Sequence, residues 1–130
     1  MPIDLARRTV VGVDALEYLA TFNGAGTLTQ GAGTGRFIFP FNATIMGVTA
    51  AVGTAPTGGP LTIDVNKNGT TIFTTQGNRP SIGAGTNASS EMTPDVTTIS
   101  AGDYLTVDRD LVGPTVAGAD LTVQVRYRRR

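Results

Sequence analysis

The stretch that decides the fold class is Leu61-Thr-Ile-Asp-Val-Asn-Lys-Asn-Gly-Thr-Thr-Ile-Phe73. Its first half alternates apolar and polar residues, which is the period of a β-strand with one buried face. We therefore expect Asp64 and Asn66 to face solvent. Asn68-Gly69 follows, and this pair favours a two-residue type I′ turn because both central positions need a positive φ. The stretch predicts a β-hairpin with Ile72 of the second strand turned inward.

Similar short β patterns, separated by Gly, Pro and Asn turns, continue from residue 36 to the C-terminus. About eight strands in some 95 residues are typical of a sandwich or barrel. We predict an all-β fold, a jelly-roll-like antiparallel β-sandwich; an immunoglobulin-like sandwich is the alternative, because the sequence does not reveal strand order. The predicted strands are Arg36–Phe39, Ala43–Val52, Leu61–Lys67, Thr70–Thr74, Pro80–Ile82, Val96–Ile99, Tyr104–Arg109 and Leu121–Tyr127.

The first 35 residues differ in character from the rest. Asn23 to Gly35 is too rich in glycine to build a core of its own, so we predict a flexible connector there or a loop that a neighbour orders. We predict an extended N-terminal arm over residues 1–35 and a β-sandwich domain over 36–130. Within the arm, Asp14 and Glu17 have the spacing of a helix capping box, which predicts a brief helix. A strand through Tyr18–Phe22 is an equal alternative to this helix.

Composition argues against catalysis. The chain has 130 residues and contains neither His nor Cys, so the common nucleophile–base pairs and most zinc sites cannot form. The glycine runs lack the spacing of phosphate-binding loops. Asp103, Asp108 and Asp110 are the one carboxylate cluster, and we expect solvated loop carboxylates there, with a glycosidase pair or a weak Ca²⁺ site as alternatives. We predict that the protein is not an enzyme and has no catalytic residues, cofactor or metal.

Charge and hydropathy limit the classes of partner that the protein could bind. The formal net charge is zero, which does not favour nucleic-acid binding, and no apolar run approaches the roughly 20 residues that span a membrane. The N-terminus lacks the order of a signal peptide. Charged residues are 15% of the chain, below the roughly 25% of ordinary domains. We therefore expect a partner protein to cover part of the surface.

The C-terminus, Arg126-Tyr-Arg-Arg-Arg130, holds four of the ten basic residues. One interpretation is a solvated tail. The other is docking against an acidic protein surface or a carboxylate of a neighbouring subunit, because the guanidinium group binds carboxylates in a bidentate manner. Arg7 and Arg8 could serve the same purpose at the other end of the chain.

Six segments from residue 37 onward carry a resemblance to a known group of proteins. They are Phe37–Pro40, Ala43–Ile45, Thr54–Asp64, Asn68–Phe73, Ala101–Val107 and Gly118–Val123. In this order they resemble the jelly-roll module of tailed-bacteriophage virion surface proteins, which include capsid decoration, head-fibre, tail-fibre and minor tail proteins. The resemblance implies a virion structural protein, commonly a homotrimer, made in the host cytoplasm.

With a compact body and a terminal arm, the predicted organisation of this chain resembles that of a capsid decoration protein. That resemblance implies binding to the outer surface of the major capsid protein shell, with a tail-fibre or minor tail module that binds a receptor or carbohydrate as the alternative. The predicted contact residues are apolar residues of the arm and the terminal arginines. They are Arg7, Arg8, Val10, Val11, Leu16, Leu19, Phe22, Arg126, Arg128, Arg129 and Arg130.

Overall fold

The structure is a computed structural model, and it describes residues 16–33 and 35–130. The described residues form ten β-strands and one turn of 3₁₀ helix at Gln76–Asn78, and none of them forms a helix that could cross a membrane. The strands are β1 (Glu17–Thr27), β2 (Gly31–Ala32), β3 (Phe37–Ile38), β4 (Ala43–Thr54), β5 (Leu61–Lys67), β6 (Thr70–Thr71), β7 (Ser81–Ile82), β8 (Thr98–Ile99), β9 (Tyr104–Val112) and β10 (Ala119–Arg129).

The strands form two antiparallel sheets that pack face to face. The first sheet has the order β1-β10-β4-β8, and the second has the order β2-β9-β5-β6, with β3 also pairing with β9 and β7 with β5. The pairing is nested: β1 pairs with β10, β2 and β3 with β9, β4 with β8, and β5 with β6 and β7. A hairpin wound in this way is a jelly roll. The predicted jelly-roll-like β-sandwich is confirmed.

The hairpin at residues 61–73 is present, but its strand is more buried than the sequence suggested. Asn68 and Gly69 have φ values of 52° and 88°, as a type I′ turn requires. Asp64 and Asn66 were predicted to face solvent, and this is wrong: they are only 6% and 9% exposed. Neighbouring polar side chains contact both residues: Thr71 donates to Asp64, and Asn66 donates to Asp108 on β9.

The predicted boundary between arm and sandwich also differs from the structure. Glu17–Thr27 is not an arm but an 11-residue strand, and it pairs with β10 along nearly its whole length. Ala20 and Leu28 contribute to the core. Of the two alternatives for Tyr18–Phe22, the strand is therefore the one observed, and the described part of the sandwich begins with Glu17. Arg7, Arg8, Val10 and Val11 lie outside the described residues.

One end of the sandwich core is aromatic. The Tyr127 ring lies 5.0 Å from Phe39, 5.6 Å from Tyr18, 6.0 Å from Phe37 and 6.3 Å from Phe41, measured between centroids. These separations are those of favourable stacked and edge-to-face pairs. Tyr127 therefore joins the first sheet to the segment that leads from β3 into β4.

Candidate functional site

The C-terminal arginines belong to a folded surface. Arg126 lies on the outer face of β10, where its guanidinium binds two carboxylates at once. Its Nε and Nη2 donate to Glu91 at 2.9 and 2.8 Å, and its Nη1 donates to both oxygens of Glu17 at 2.9 Å. These hydrogen bonds hold the pKa of the Glu17 and Glu91 carboxyls below their usual values. We call Glu17, Glu91, Arg126 and Arg128 the charge cluster.

A glycine makes room for the charge cluster. Gly47 lies opposite Arg126 on β4, and a Cβ at this position would lie 2.4 Å from Glu91 Cδ. Such a distance forces a shift, so any larger residue would displace the Glu91 side chain. Gly47 thus allows Glu91 to lie flat over the sheet and reach Arg126. No pattern in the sequence points to Glu91 or Gly47 as members of a site.

The remaining terminal arginines also have partners within the chain. Arg128 Nη2 donates to Glu17 at 3.2 Å, and the Arg129 guanidinium lies 4.7 Å from the Phe41 ring centroid. Arg130 donates to the backbone carbonyls of Ala43 and Ile99. The residues up to Arg129 therefore belong to β10 and are not a tail, although Arg128, Arg129 and Arg130 are exposed to solvent. Because the charge cluster contains two arginines and two glutamates, it presents little net charge to an acidic partner.

The predicted apolar contacts divide into two kinds. Leu16 and Leu19 are 51% and 54% exposed, so their side chains are available to a partner. Phe22 faces the other way and packs against the core, where it is half-buried. Phe22 thus offers less surface for docking than the sequence suggested.

The three carboxylates of the predicted cluster have separate partners. Asp103 accepts from Ser100 N and Asn68 Nδ2 at 2.8 and 2.9 Å, which closes a turn and lowers its pKa. Asp108 and Asp110 lie within β9 rather than in a loop. Asp108 accepts from Asn66, and Asp110 pairs with Arg79 at 2.6 Å. In the described part of the chain, no group of three or more His, Cys, Asp or Glu residues is arranged to hold a metal ion.

Asp64 is a buried carboxylate on the outer face of the second sheet. It accepts from Val65 N at 2.8 Å and from Thr71 Oγ1 at 2.7 Å. Burial raises the pKa of Asp64, and the nearby Asp110 charge adds to this effect. The ionised form is therefore the less favourable one in the fold.

Replacing Asp64 tests this account. When the pKa of a carboxyl is higher in the folded than in the unfolded protein, the protonated carboxyl stabilises the fold. This stabilisation is complete below the unfolded-state pKa and is lost as the pH rises through the folded-state pKa. Asp64→Asn keeps the acceptor oxygen without the charge, so we expect a melting temperature equal to wild type at pH 3 and higher at pH 7. Asp64→Ala leaves two donors unsatisfied and should cost about 1–3 kcal/mol at both pH values. Thermal unfolding at the two pH values measures both; a less stable Asp64→Asn at pH 7 would contradict the raised pKa.

The described residues also line two surface clefts of about 350 Å³ each. The first opens between the sheets beside Phe22, Leu121 and Val123, and Arg36 and Arg109 also line it. Both guanidiniums have other contacts, because Arg36 stacks on Tyr104 and Arg109 donates to the Thr29 carbonyl. No carboxylate lines this cleft, so its described lining offers no acid–base pair.

The second cleft is more apolar and lies among loops. Gln30, Leu111 and Val112 line it together with two Gly-Pro segments at residues 58–60 and 113–114. Leu111 is exposed.

Comparison with known proteins gives similarity at the level of fold. No family model matches the chain, and no curated protein matches it. Among solved structures, a chain in the capsid asymmetric unit of cyanophage Pam1 aligns over 88% of this chain and 84% of its own length, with a TM-score of 0.55 and 20% identity. The jelly roll is shared with phage capsids.

Two further capsid structures give the same result. A chain of the Ralstonia phage GP4 capsid has a TM-score of 0.56 at 15% identity and is covered over 86% of its length, against 90% of this chain. A chain of the Helicobacter pylori bacteriophage KHP30 capsid has a TM-score of 0.56 at 14% identity, with 90% of that chain and 89% of this one covered. The shared jelly roll thus spans most of each polypeptide.

Proposed function

We propose that this protein is a bacteriophage virion structural protein that decorates the capsid by binding the outer surface of the major capsid protein shell. The supporting observation is that three phage capsid structures each contain a chain with this jelly roll over 84–90% of its length. We propose no catalytic role, no cofactor and no metal, and place the protein in the virion after synthesis in the host cytoplasm.

The described surfaces suit binding by shape. Leu16 and Leu19 supply exposed apolar area at the start of β1, and Arg128 lies next to them opposite Glu17. An apolar contact with a polar rim is the usual composition of a protein interface. A capsid shell offers many identical binding sites. If copies of the protein are linked to one another, a modest affinity at each site gives tight overall binding through avidity.

Binding to purified capsid shells tests the proposal. We expect the full-length protein to saturate empty shells of its own phage, with extra density on the outer surface by electron microscopy. Arg128→Ala should weaken binding, whereas Arg36→Ala, at a stacked arginine on the other sheet, should not. Failure to bind shells would contradict decoration. Labelled protein found on the tail of the virion would favour the tail-fibre or minor tail alternative.

The resemblance implies a homotrimer, whereas the strand pairing proposed below implies a dimer, so the mass of the free protein decides between the two. Sedimentation at three times 13.4 kDa would support the homotrimer, and sedimentation at twice 13.4 kDa would contradict it.

A further inference from the structure

Edge strands are where sheets recruit other chains, and the four sheet edges of this sandwich differ sharply in length. Natural proteins protect edges by keeping them short. In residues 16–33 and 35–130, β8 borders the first sheet on one side, and the second sheet ends at β2 and β3 on one side and at β6 and β7 on the other. Each of these strands has two residues, whereas β1 has 11.

The register shows which backbone groups of β1 point away from β10. Val48 on β4 exchanges both backbone hydrogen bonds with Met92, at 2.8 and 2.9 Å, so it has none left for its β10 neighbour Val125. The backbone groups of Val125 therefore point to β1, where Ala20 is their partner. Because these groups alternate along a strand, the N–H and C=O groups of Leu19 and Thr21 point out of the sheet.

The side chains of β1 also lack the usual protection. Between Glu17 and Thr27 there is no Lys, Arg or Pro, the residues that commonly guard an edge. Glu17 is the one charged residue, and Arg126 and Arg128 bind it. Leu19 is 54% exposed. The strand is regular from Glu17 to Gly24, where its register with β10 shifts.

We propose that β1 of one copy pairs antiparallel with β1 of a second copy, about a two-fold axis that passes beside Ala20. In this register Leu19 exchanges backbone hydrogen bonds with Thr21 of the second copy. Glu17 faces Asn23, so no like charges meet. Tyr18 faces Phe22 on the inner side of the joint sheet, where an aromatic pair is favourable. The two four-stranded sheets become one continuous sheet of eight strands.

The symmetry of this contact determines the oligomer. Pairing of a strand with its own copy about a two-fold axis is closed. Since each copy offers one long edge among its described residues, pairing through it gives a dimer and cannot continue to a third copy. This inference concerns the free protein and does not depend on the capsid role.

A proline pair tests the contact on the full-length protein. Thr21→Pro removes an N–H that points out of the sheet, a position where proline is tolerated. We expect wild type to sediment at twice 13.4 kDa and Thr21→Pro to raise the dimer dissociation constant about tenfold or more with little change in melting temperature. Ala20→Pro removes an N–H bonded to β10, so it should lower the melting temperature instead.

Disulfide cross-linking tests the register. The chain has no cysteine, and facing residues in such a pair have Cα atoms about 5.5 Å apart, within disulfide range. The double variant Leu19→Cys/Thr21→Cys should form a covalent dimer on oxidation, whereas either single variant should not. A monomer at all concentrations, a trimer, or a dimer that Thr21→Pro leaves intact would overturn the proposal.

Discussion

Tyr127→Ala is expected to lower the free energy of unfolding by about 3–5 kcal/mol, the usual cost of truncating a large aromatic side chain in a core. Tyr127 is 6% exposed, and four aromatic rings lie within 6.3 Å of its own. Removing its ring leaves a cavity where β10 meets the segment before β4. The neighbouring rings are held by two different sheets, so they cannot close this space without moving a strand.

Tyr127→Phe is the matched control, because it keeps the ring and removes only the hydroxyl. We expect it to cost less than about 1.5 kcal/mol. Denaturant unfolding followed by circular dichroism compares the two variants. A loss below about 1 kcal/mol for Tyr127→Ala would show that this end of the core is not closely packed, contrary to typical interiors.

Removing residues 1–35 is expected to abolish cooperative folding. This deletion takes away β1 and β2, and with them the core residues Ala20 and Leu28 and the half-buried Phe22. Loss of one buried Leu or Phe alone costs about 2–5 kcal/mol, and net stabilities are only about 5–15 kcal/mol. The uncovered edge of β10 would also present Val123 and Val125 to water.

A shorter deletion separates folding from docking. Removing residues 1–15 leaves every described strand in place, so we expect a cooperative thermal transition. This shorter variant, rather than one lacking residues 1–35, is the proper test of whether an N-terminal arm binds the capsid shell. A cooperative transition in the longer deletion would contradict the assignment of β1 to the sandwich.

The charge cluster shows why part of the candidate site escaped sequence reasoning. Glu91 and Glu17 are 35 and 109 positions away from Arg126 in the chain. No local spacing joins residues so far apart. The run of terminal arginines was visible in the sequence, but the carboxylates that bind Arg126 become its neighbours only through the strand order.

Glycine content misled the interpretation of residues 23–35 for a related reason. Gly24 lies in β1 opposite Leu121 on β10, and Gly33 donates its N–H to the Val107 carbonyl. A Cβ on Gly33 would lie 2.2 Å from that carbonyl oxygen, so the close approach of two backbones requires glycine there. At Gly33, therefore, glycine is required by the close packing of two backbones and does not indicate a flexible connector.

By itself, the sequence determined that the chain is all-β, where the hairpin at Asn68-Gly69 turns, and which residues share a face of each strand. These follow from side-chain period and turn chemistry, which act over a few residues. The tertiary structure alone decided which faces are covered: it buried Asp64 and Asn66, placed β1 at the edge of the sheet that the described residues form, and gave Arg126 its two carboxylates. The physical reason is that the alternation of side chains along a strand only assigns residues to one face or the other. Contacts between strands that are distant in the sequence determine whether each face is covered, and by which residues.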